Sequence, residues 1–574
     1  MSCHLLAVVG LLLGLCVSAG AVERPNVIVI VTDDQGYGDI SSQGHPWLKT
    51  PQLDRLCEES VRLEDYHVDP YCTPTRAALM TGRYCTRNGA WAVTSGRQML
   101  YPNETTMAEV FRDSGYRTGM FGKWHLGDTW PYAPRFRGFE DVVCHRAGGV
   151  DEIGNPEGNN YFDDTYFCNG KAERFQGYCT DVFFDETLRF IREEDERPFF
   201  VYLPLNAMHS PFTVAERYWK RFAELGMKRD RANFLGMIEN FDENLGRLMA
   251  ELAERKLDEK TLVIFMSDNG TAVGHKATPD DRFGFNAGMR GNKGSVYEGG
   301  HRVPCFVRWK GQLKAGSAID ELTCHRDWLP TLIDMCGLKA PEKVAFDGKS
   351  IVPLLKGGSD WPERTFFIER QRDYLKKGRL EGPSIPFAIL TERWRMVNGE
   401  LYEISVDSEQ KRNVADKHPK VVRELYQAYE AYFADVSSHD SAYTRFMLGT
   451  DEENPITFTV RDWHPTVGNV IWSKPQLSDD KLYINGYWAV EVMEGGRYEF
   501  RVSRHPRDHE KPMGAKEVRL EIGAEKLIKE VKPTDVSVSF ECELAAGPAI
   551  LTTWLKDDGG ERGAYHVEVK RVAP

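Results

Sequence analysis

The chain predicts an α/β core built on a buried parallel sheet, then a smaller antiparallel-sheet subdomain, then a C-terminal all-β sandwich. Three observations carry that reading. Asn26-Val27-Ile28-Val29-Ile30-Val31-Thr32 and Thr261-Leu262-Val263-Ile264-Phe265-Met266-Ser267 are unbroken apolar runs, the pattern of strands covered on both faces. Amphipathic stretches lie between such runs, one with Leu235, Ile238, Phe241, Leu245, Leu248 and Leu252 at helical spacing. After about Asp451 the texture changes to short alternating runs separated by turns, such as Gly496-Arg497-Tyr498-Glu499-Phe500-Arg501-Val502.

Taken in order, residues 1–21 read as a signal peptide, with an apolar core from Leu5 to Leu13 and small residues at Ser18-Ala19-Gly20-Ala21. Its head carries no Lys or Arg, which is unusual for such a segment. Export implies a secreted or periplasmic protein, or one of a lysosomal-type compartment in a eukaryote. The α/β core is expected over 22–355, including a helix from Asp327 to Met335 whose Asp and aromatic residues are structural. A subdomain over 356–450 has strands at Thr365-Phe366-Phe367-Ile368 and Trp394-Arg395-Met396-Val397 and a closing helix around Val421 to Val436. The β-sandwich takes 451–574, and its Trp463, Trp472 and Trp488 suit a core better than a sugar-binding face.

At 574 residues the chain is too long for one core. A net charge of −13 supplies no basic field for a polyanion, so nucleic acid is not expected as a partner. No segment after the signal is apolar enough to span a bilayer, so the chain is not read as an integral membrane protein. Of its 12 cysteines, Cys168 and Cys179 flank a Gly-containing loop and are the first disulfide expected. No CxxC pair or His-rich tract marks a structural zinc site.

Four apolar runs end in polar residues. Those at Thr32 and Ser267 stop at Asp33-Asp34 and at Asp268-Asn269-Gly270. Phe199-Phe200-Val201-Tyr202-Leu203 leads to Asn206-Ala207-Met208-His209, and Thr118-Gly119-Met120-Phe121-Gly122 leads to Lys123-Trp124-His125. Ligands of open α/β sheets bind beyond the carboxyl ends of the strands, so these groups are expected at one edge. Asp33, Asp34, Asp268 and Asn269 offer only oxygen donors, which suits Ca²⁺ or Mg²⁺ and not zinc or copper. A short helix is expected after Cys72, with Thr73 as N-cap, Pro74 at its first position and Gly82 at its end. Its N-terminus would point at whatever Cys72 holds and favour an anion there.

Cys72-Thr73-Pro74-Thr75-Arg76 fits Cys-x-Pro-x-Arg, the sulfatase signature. Gly122-Lys123-Trp124-His125-Leu126-Gly127, His209-Ser210-Pro211, Arg290-Gly291-Asn292-Lys293-Gly294 and Leu401-Tyr402-Glu403-Ile404 match further segments of the same family. From roughly Asn26 to Ala415 the chain therefore resembles the type I, formylglycine-dependent sulfatases, which are arylsulfatase-like members of the alkaline-phosphatase-like superfamily. The resemblance implies a mixed sheet sandwiched by helices, and oxidation of Cys72 to formylglycine by a generating enzyme or its equivalent. It implies metal ligands Asp33, Asp34, Asp268 and Asn269 with an oxygen from modified Cys72, and calcium ahead of magnesium. Arg76 would then reach back to the modified side chain, Lys123 and Lys293 would hold sulfate, His125 would assist the formylglycine hydroxyl, and His209 would protonate the leaving oxygen. Departures are Tyr71 where a small or aliphatic residue is commoner, Thr75 for serine, and His301 for an apolar residue, a candidate for the substrate pocket.

The aldehyde has a chemical reason. A serine left carrying sulfate would be slow to release it. A hydrated aldehyde has two hydroxyls on one carbon: one attacks sulfur, and the other loses its proton so that the carbon expels sulfate. The function expected is hydrolysis of sulfate esters, of a sulfated carbohydrate or polysaccharide, with aryl sulfates as model substrates. The alternatives are a phosphatase or phosphonate monoester hydrolase of the same superfamily, or an inactive glycan-binding homologue. The long stretch from Cys144 to Gly177, rich in Gly, Asn and Asp, is expected to shape the pocket rim.

Overall fold

Four parallel strands form the middle of the largest sheet in the computed structural model, which describes residues 24–370, 386–437 and 443–572. They are β1 (Asn26–Thr32), β2 (Arg117–Lys123), β3 (Phe199–Pro204) and β4 (Thr261–Ser267), in the spatial order β4-β1-β3-β2. The expected signal peptide, residues 1–21, lies outside the described residues. Other strands extend this mixed sheet to ten, and those at both flanks include antiparallel pairs.

Both faces of the central strands are covered. Ile28 and Ile30 belong to one hydrophobic core, while Val27, Val29 and Val31 belong to the core on the opposite face. That two-residue alternation is what an apolar run without polar interruptions achieves in a sandwiched sheet. Helix α2 (Arg229–Glu254) covers the first face with Leu235, Ile238, Phe241, Leu245, Leu248 and Leu252, all fully buried. Truncating any of these leucines to alanine costs about 2–5 kcal/mol. The opposite face holds α1 (Cys72–Thr81), whose residues are all buried.

α1 departs from the sequence expectation at its start. Cys72 is its first residue, Tyr71 precedes it in extended conformation, and no side chain caps it. Thr73 does not cap because its hydroxyl donates instead to the His125 carbonyl, at 3.3 Å. The end is as expected: Gly82 takes a left-handed φ of 67° and its N–H donates to the Ala78 carbonyl.

The Asp327 segment is a 3-10 turn, His325–Asp327, followed by helix Trp328–Cys336. The Asp327 carboxylate accepts from Arg364, Cys324 N–H and Lys349 N–H, a structural role. A four-stranded antiparallel sheet follows, Phe366–Glu369, Phe387–Leu390, Trp394–Val397 and Glu400–Glu403, covered by helix Pro419–Ser437. Tyr429 of that helix stacks on Phe387 with ring centroids 4.1 Å apart.

The C-terminal region holds a seven-stranded and a four-stranded sheet around one core. Trp463 and Trp488 fill that core with centroids 5.5 Å apart, as expected, but Trp472 is 36 % exposed. The same core takes in Met99, Tyr132 and Ile153 of the α/β unit, so it is continuous with that unit. The expected Cys168–Cys179 disulfide is absent, since both are free thiols. Cys179 begins a helix and faces Tyr166, whereas Cys168 ends a strand and sits beside Glu173.

Candidate active site

The β1–β4 register explains why the acidic residues meet. Thr32 lies opposite Ser267, so Asp33 and Asp268 leave the sheet at the same level. Asp34 follows with φ 63°, and its N–H donates to Asp268 Oδ1 at 3.2 Å. Asp33, Asp34 and Asp268 present carboxylate oxygens within 4.8 Å of one another, and all three are buried. Burial pushes the Asp268 carboxyl up, and the neighbouring Asp33 charge adds to that. Asn269 completes the group, its side-chain N–H donating to Asp34 Oδ1 at 2.8 Å.

Three cations face these carboxylates. Arg76, fully buried on α1, donates through Nε and Nη2 to Asp268 Oδ2 at 3.0 and 2.8 Å and through Nη1 to the Lys123 carbonyl at 2.8 Å. Lys123, at the end of β2, donates to Asp33 Oδ2 at 2.5 Å. Lys293 pairs with Asp34 Oδ1 at 2.6 Å and is the more accessible lysine, 22 % exposed. Burial alone would raise the Asp34 carboxyl, but Lys293 and then His209 outweigh it and hold it below its usual value.

Cys72 sits above this floor. Its Sγ lies 3.4 Å from His125 Nδ1. His125 Nε2 is engaged on the far side, 3.1 Å from the Val93 carbonyl and 3.3 Å from Arg461 Nη2, so Nδ1 is the ring nitrogen that faces Cys72. Burial, reinforced by Lys123 and Arg461, keeps the imidazole well below its usual pKa and therefore neutral. Burial also raises the Cys72 thiol against the opposing pull of Lys123 and Lys293, which makes an unmodified thiol a poor nucleophile. His209 closes another side, its Nδ1 2.8 Å from the Ser210 carbonyl, so Nε2 is the nitrogen left to exchange a proton.

A cavity of about 380 Å³ opens over these groups, lined by Asp34, Cys72, His125, His209 and Lys293, with Val93, Phe212, Val273 and Trp472 among its apolar walls. Its other contributors carry no local motif. Glu152 comes from the stretch expected at the rim, where Gly148 and Gly149 press on the two histidines: an added Cβ would meet His125 Cε1 at 2.5 Å and His209 Nδ1 at 2.9 Å. Arg461 comes from the C-terminal β region, 3.3 Å from both Glu152 Oε2 and His125 Nε2. Only their spatial convergence identifies them. His301, by contrast, does not line this cavity and is buried against His67. His145 and His325 are also buried away from it.

The geometry agrees with the comparisons. A family model described as Sulfatase matches residues 25–338, more than half of the chain. The chain belongs to the sulfatase family. Its class is therefore that of the sulfuric ester hydrolases. A second model, N-sulphoglucosamine sulphohydrolase, C-terminal, matches residues 291–433. The chain is 32% identical to arylsulfatase A of Homo sapiens over 388 residues, 62% of this chain and 73% of that protein. It is 29% identical to N-acetylgalactosamine-6-sulfatase of Canis lupus familiaris over 366 residues, 59% of this chain and 68% of that protein. Among solved structures it superposes on Ps i-CgsB in complex with k-i-k-neocarrahexaose at TM-score 0.64 and 26% identity, covering 71% of this chain and 93% of that one. The phosphonate monoester hydrolase of Agrobacterium radiobacter shares the fold at TM-score 0.52 and 20% identity, covering 72% of this chain and 96% of that one.

Sulfatases carry a metal, and these residues fit one. Asp33 Oδ1 and Asn269 Oδ1 are buried without a hydrogen-bond partner, next to two further carboxylates. Buried acceptors left unsatisfied are costly, and a hard cation that accepts oxygen donors satisfies them. Asn269 is fully buried, so its Asn-Gly-Thr sequence is no glycan acceptor.

Proposed function

We propose that the chain is a secreted sulfatase that hydrolyses sulfate esters of a sulfated carbohydrate, with aryl sulfates as model substrates, using formylglycine made from Cys72 by a maturation enzyme. The observation that carries this reading is the Cys72 Sγ at 3.4 Å from a neutral His125 Nδ1, at the start of α1 and above three carboxylates. The sulfur marks where the reacting oxygens of the modified residue would stand.

In this reading Asp33, Asp34, Asp268 and Asn269 hold the ion, a hard cation because the donors are all oxygens, and the sulfatase resemblance puts calcium ahead of magnesium. When bound, the ion and the aldehyde hydrate supply Lewis-acid help and a hydroxyl nucleophile. The other roles belong to residues of the chain. His125 Nδ1 accepts the proton of the attacking hydroxyl. Lys293, facing the cavity, and Lys123 beneath it offset charge on the sulfate oxygens, where fixed cations act strongly in a dry site. Arg76 clamps Asp268 and the Lys123 carbonyl so that both stay in place. His209 Nε2 delivers a proton to the departing alcohol oxygen.

Sulfated sugars are supported as substrates by the relatives, whose names include an N-acetylgalactosamine-6-sulfatase and a neocarrahexaose complex. Export is proposed from the N-terminal run alone, and among the described residues no helix is long and apolar enough to cross a membrane. The test compares 4-nitrophenyl sulfate with 4-nitrophenyl phosphate, before and after chelation. Sulfate release that chelation removes and Ca²⁺ restores supports the reading. Preference for the phosphate would turn the assignment to a phosphatase or phosphonate hydrolase, and no turnover of either, or of sulfated sugars, to an inactive homologue.

A further inference from the structure

The region beyond residue 433 lies outside both family matches, yet it reaches the candidate active site. Arg461 and Trp472 both belong to it and both line the cavity that holds Cys72. Three tryptophans there invite comparison. Trp463 and Trp488 are sealed in the β core, and Trp488 Nε1 donates to the Thr459 carbonyl at 2.8 Å. Trp472 alone of the three is exposed, at 36 %, and it stands at the cavity.

Its backbone is fixed while its ring is left for solvent. The Trp472 carbonyl accepts from Ile153 N–H at 2.9 Å, Ser473 bridges to Glu152, and Trp472 N–H donates to Gln476 Oε1 at 3.1 Å. These bonds tie it to the same stretch that presses Gly148 and Gly149 onto His125 and His209. Below it, Arg461 is 2 % exposed, paired with Glu152, and its Nε has no hydrogen-bond partner. The cavity thus combines a charged floor, with Asp34 and Lys293 beside Cys72, and apolar groups at Val93, Phe212, Val273 and Trp472. A pyranose has this polarity: hydroxyls and sulfate at its edge, C–H groups on its faces. A large ring on a fixed backbone, with few side-chain angles to order, is suited to take such a face.

We infer that Trp472, supplied by the C-terminal β region, is a substrate-contacting residue that stacks on a sugar ring of the sulfated glycan, and that this region therefore sets glycan preference. The inference rests on the sulfatase reading and deepens it. Small aryl sulfates engage the charged floor and reach the mouth least, whereas an oligosaccharide spans both.

The test measures kcat/KM on 4-nitrophenyl sulfate and on the best-cleaved member of a panel of neocarrahexaose, 6-O-sulfated glucosamine and N-acetylgalactosamine-6-sulfate oligosaccharides. In Trp472→Ala the ratio of oligosaccharide to aryl sulfate activity falls about tenfold, through KM more than kcat, and Trp472→Phe restores most of it. The indole makes none of the three bonds that fix the loop, so both variants keep the parent melting temperature. A ratio unchanged in both folded variants overturns the inference while leaving the sulfatase reading intact. Parent enzyme that turns over none of these sulfates overturns the reading and the inference with it.

Discussion

The strand-end cluster around Asp33 and the cluster around His67 are alike in compactness and burial. Each brings three metal-capable side chains within 4.8 Å of one another in buried surroundings, Asp33, Asp34 and Asp268 in one and His67, Glu298 and His301 in the other. They differ in how their polar atoms are spent. At the second, Arg395 donates to Glu298 Oε1 at 2.8 Å and to Asp65 Oδ1 at 2.6 Å, His67 Nε2 meets Asp65 Oδ1 at 2.9 Å, and His301 Nε2 meets the Val296 carbonyl at 3.2 Å. None of those side chains has a buried atom without a partner, and none lines the cavity. At the strand ends, Asp33 Oδ1 and Asn269 Oδ1 are left over and the cavity opens above. Closure marks a rivet between the core and the four-stranded sheet that carries Arg395; unspent acceptors beside a cavity mark a site awaiting a ligand.

Breaking each cluster should separate the two roles. The largest effect is expected from Cys72→Ala, which leaves sulfate release undetectable, and next from Asp268→Asn, which lowers kcat/KM by about a hundred- to a thousandfold. Both are read by aryl sulfate turnover with folding checked by circular dichroism. Chelation is expected to remove activity from the unaltered enzyme, with Ca²⁺ restoring more than Mg²⁺, and to lower the melting temperature through lost ligand binding. At the closed cluster Arg395→Met takes the main cation away from two buried carboxylates, Asp65 and Glu298, and costs about 3–5 kcal/mol. Calorimetry should record a lower melting temperature, and kcat/KM per folded molecule should stay at the parent value.

The smallest effect concerns acid. Burial raises the Glu298 carboxyl, but Arg395 and then His67 more than offset this and bring it down to about 2. Its folded pKa is thus below its unfolded value of about 4.3. That stabilisation is complete above pH 4.3 and fades as pH falls towards 2, because the unfolded chain binds the proton more readily. Urea titrations of the parent and of Arg395→Met across pH 7 to 3 should therefore converge as pH drops.

What the sequence disclosed follows the same division. Asp33, Asp34, Asp268 and Asn269 stand where two apolar runs stop, and strand ends are positions that local pattern reveals. Cys72, Arg76, Lys123, His125 and Lys293 lie in short matched segments, and the structure brings them together. Glu152 falls in the Cys144 to Gly177 stretch expected at the rim, whereas Arg461 and Trp472 were not foreseen as pocket residues, because each reaches the cavity from the C-terminal β region with no pattern of its own. His301 was expected near substrate and instead joins the closed cluster, since one histidine in sequence looks the same in either setting. The α1 start shifted because Thr73 found a tertiary acceptor in the His125 carbonyl, a competition that local propensity cannot weigh.

The most direct test of the central claim is mass spectrometry of the tryptic peptide from Leu63 to Arg76 of fully active enzyme. An aldehyde in place of the Cys72 thiol, in proportion to specific activity, is the predicted result. A plain thiol at Cys72 in enzyme that retains full sulfate release would contradict the account.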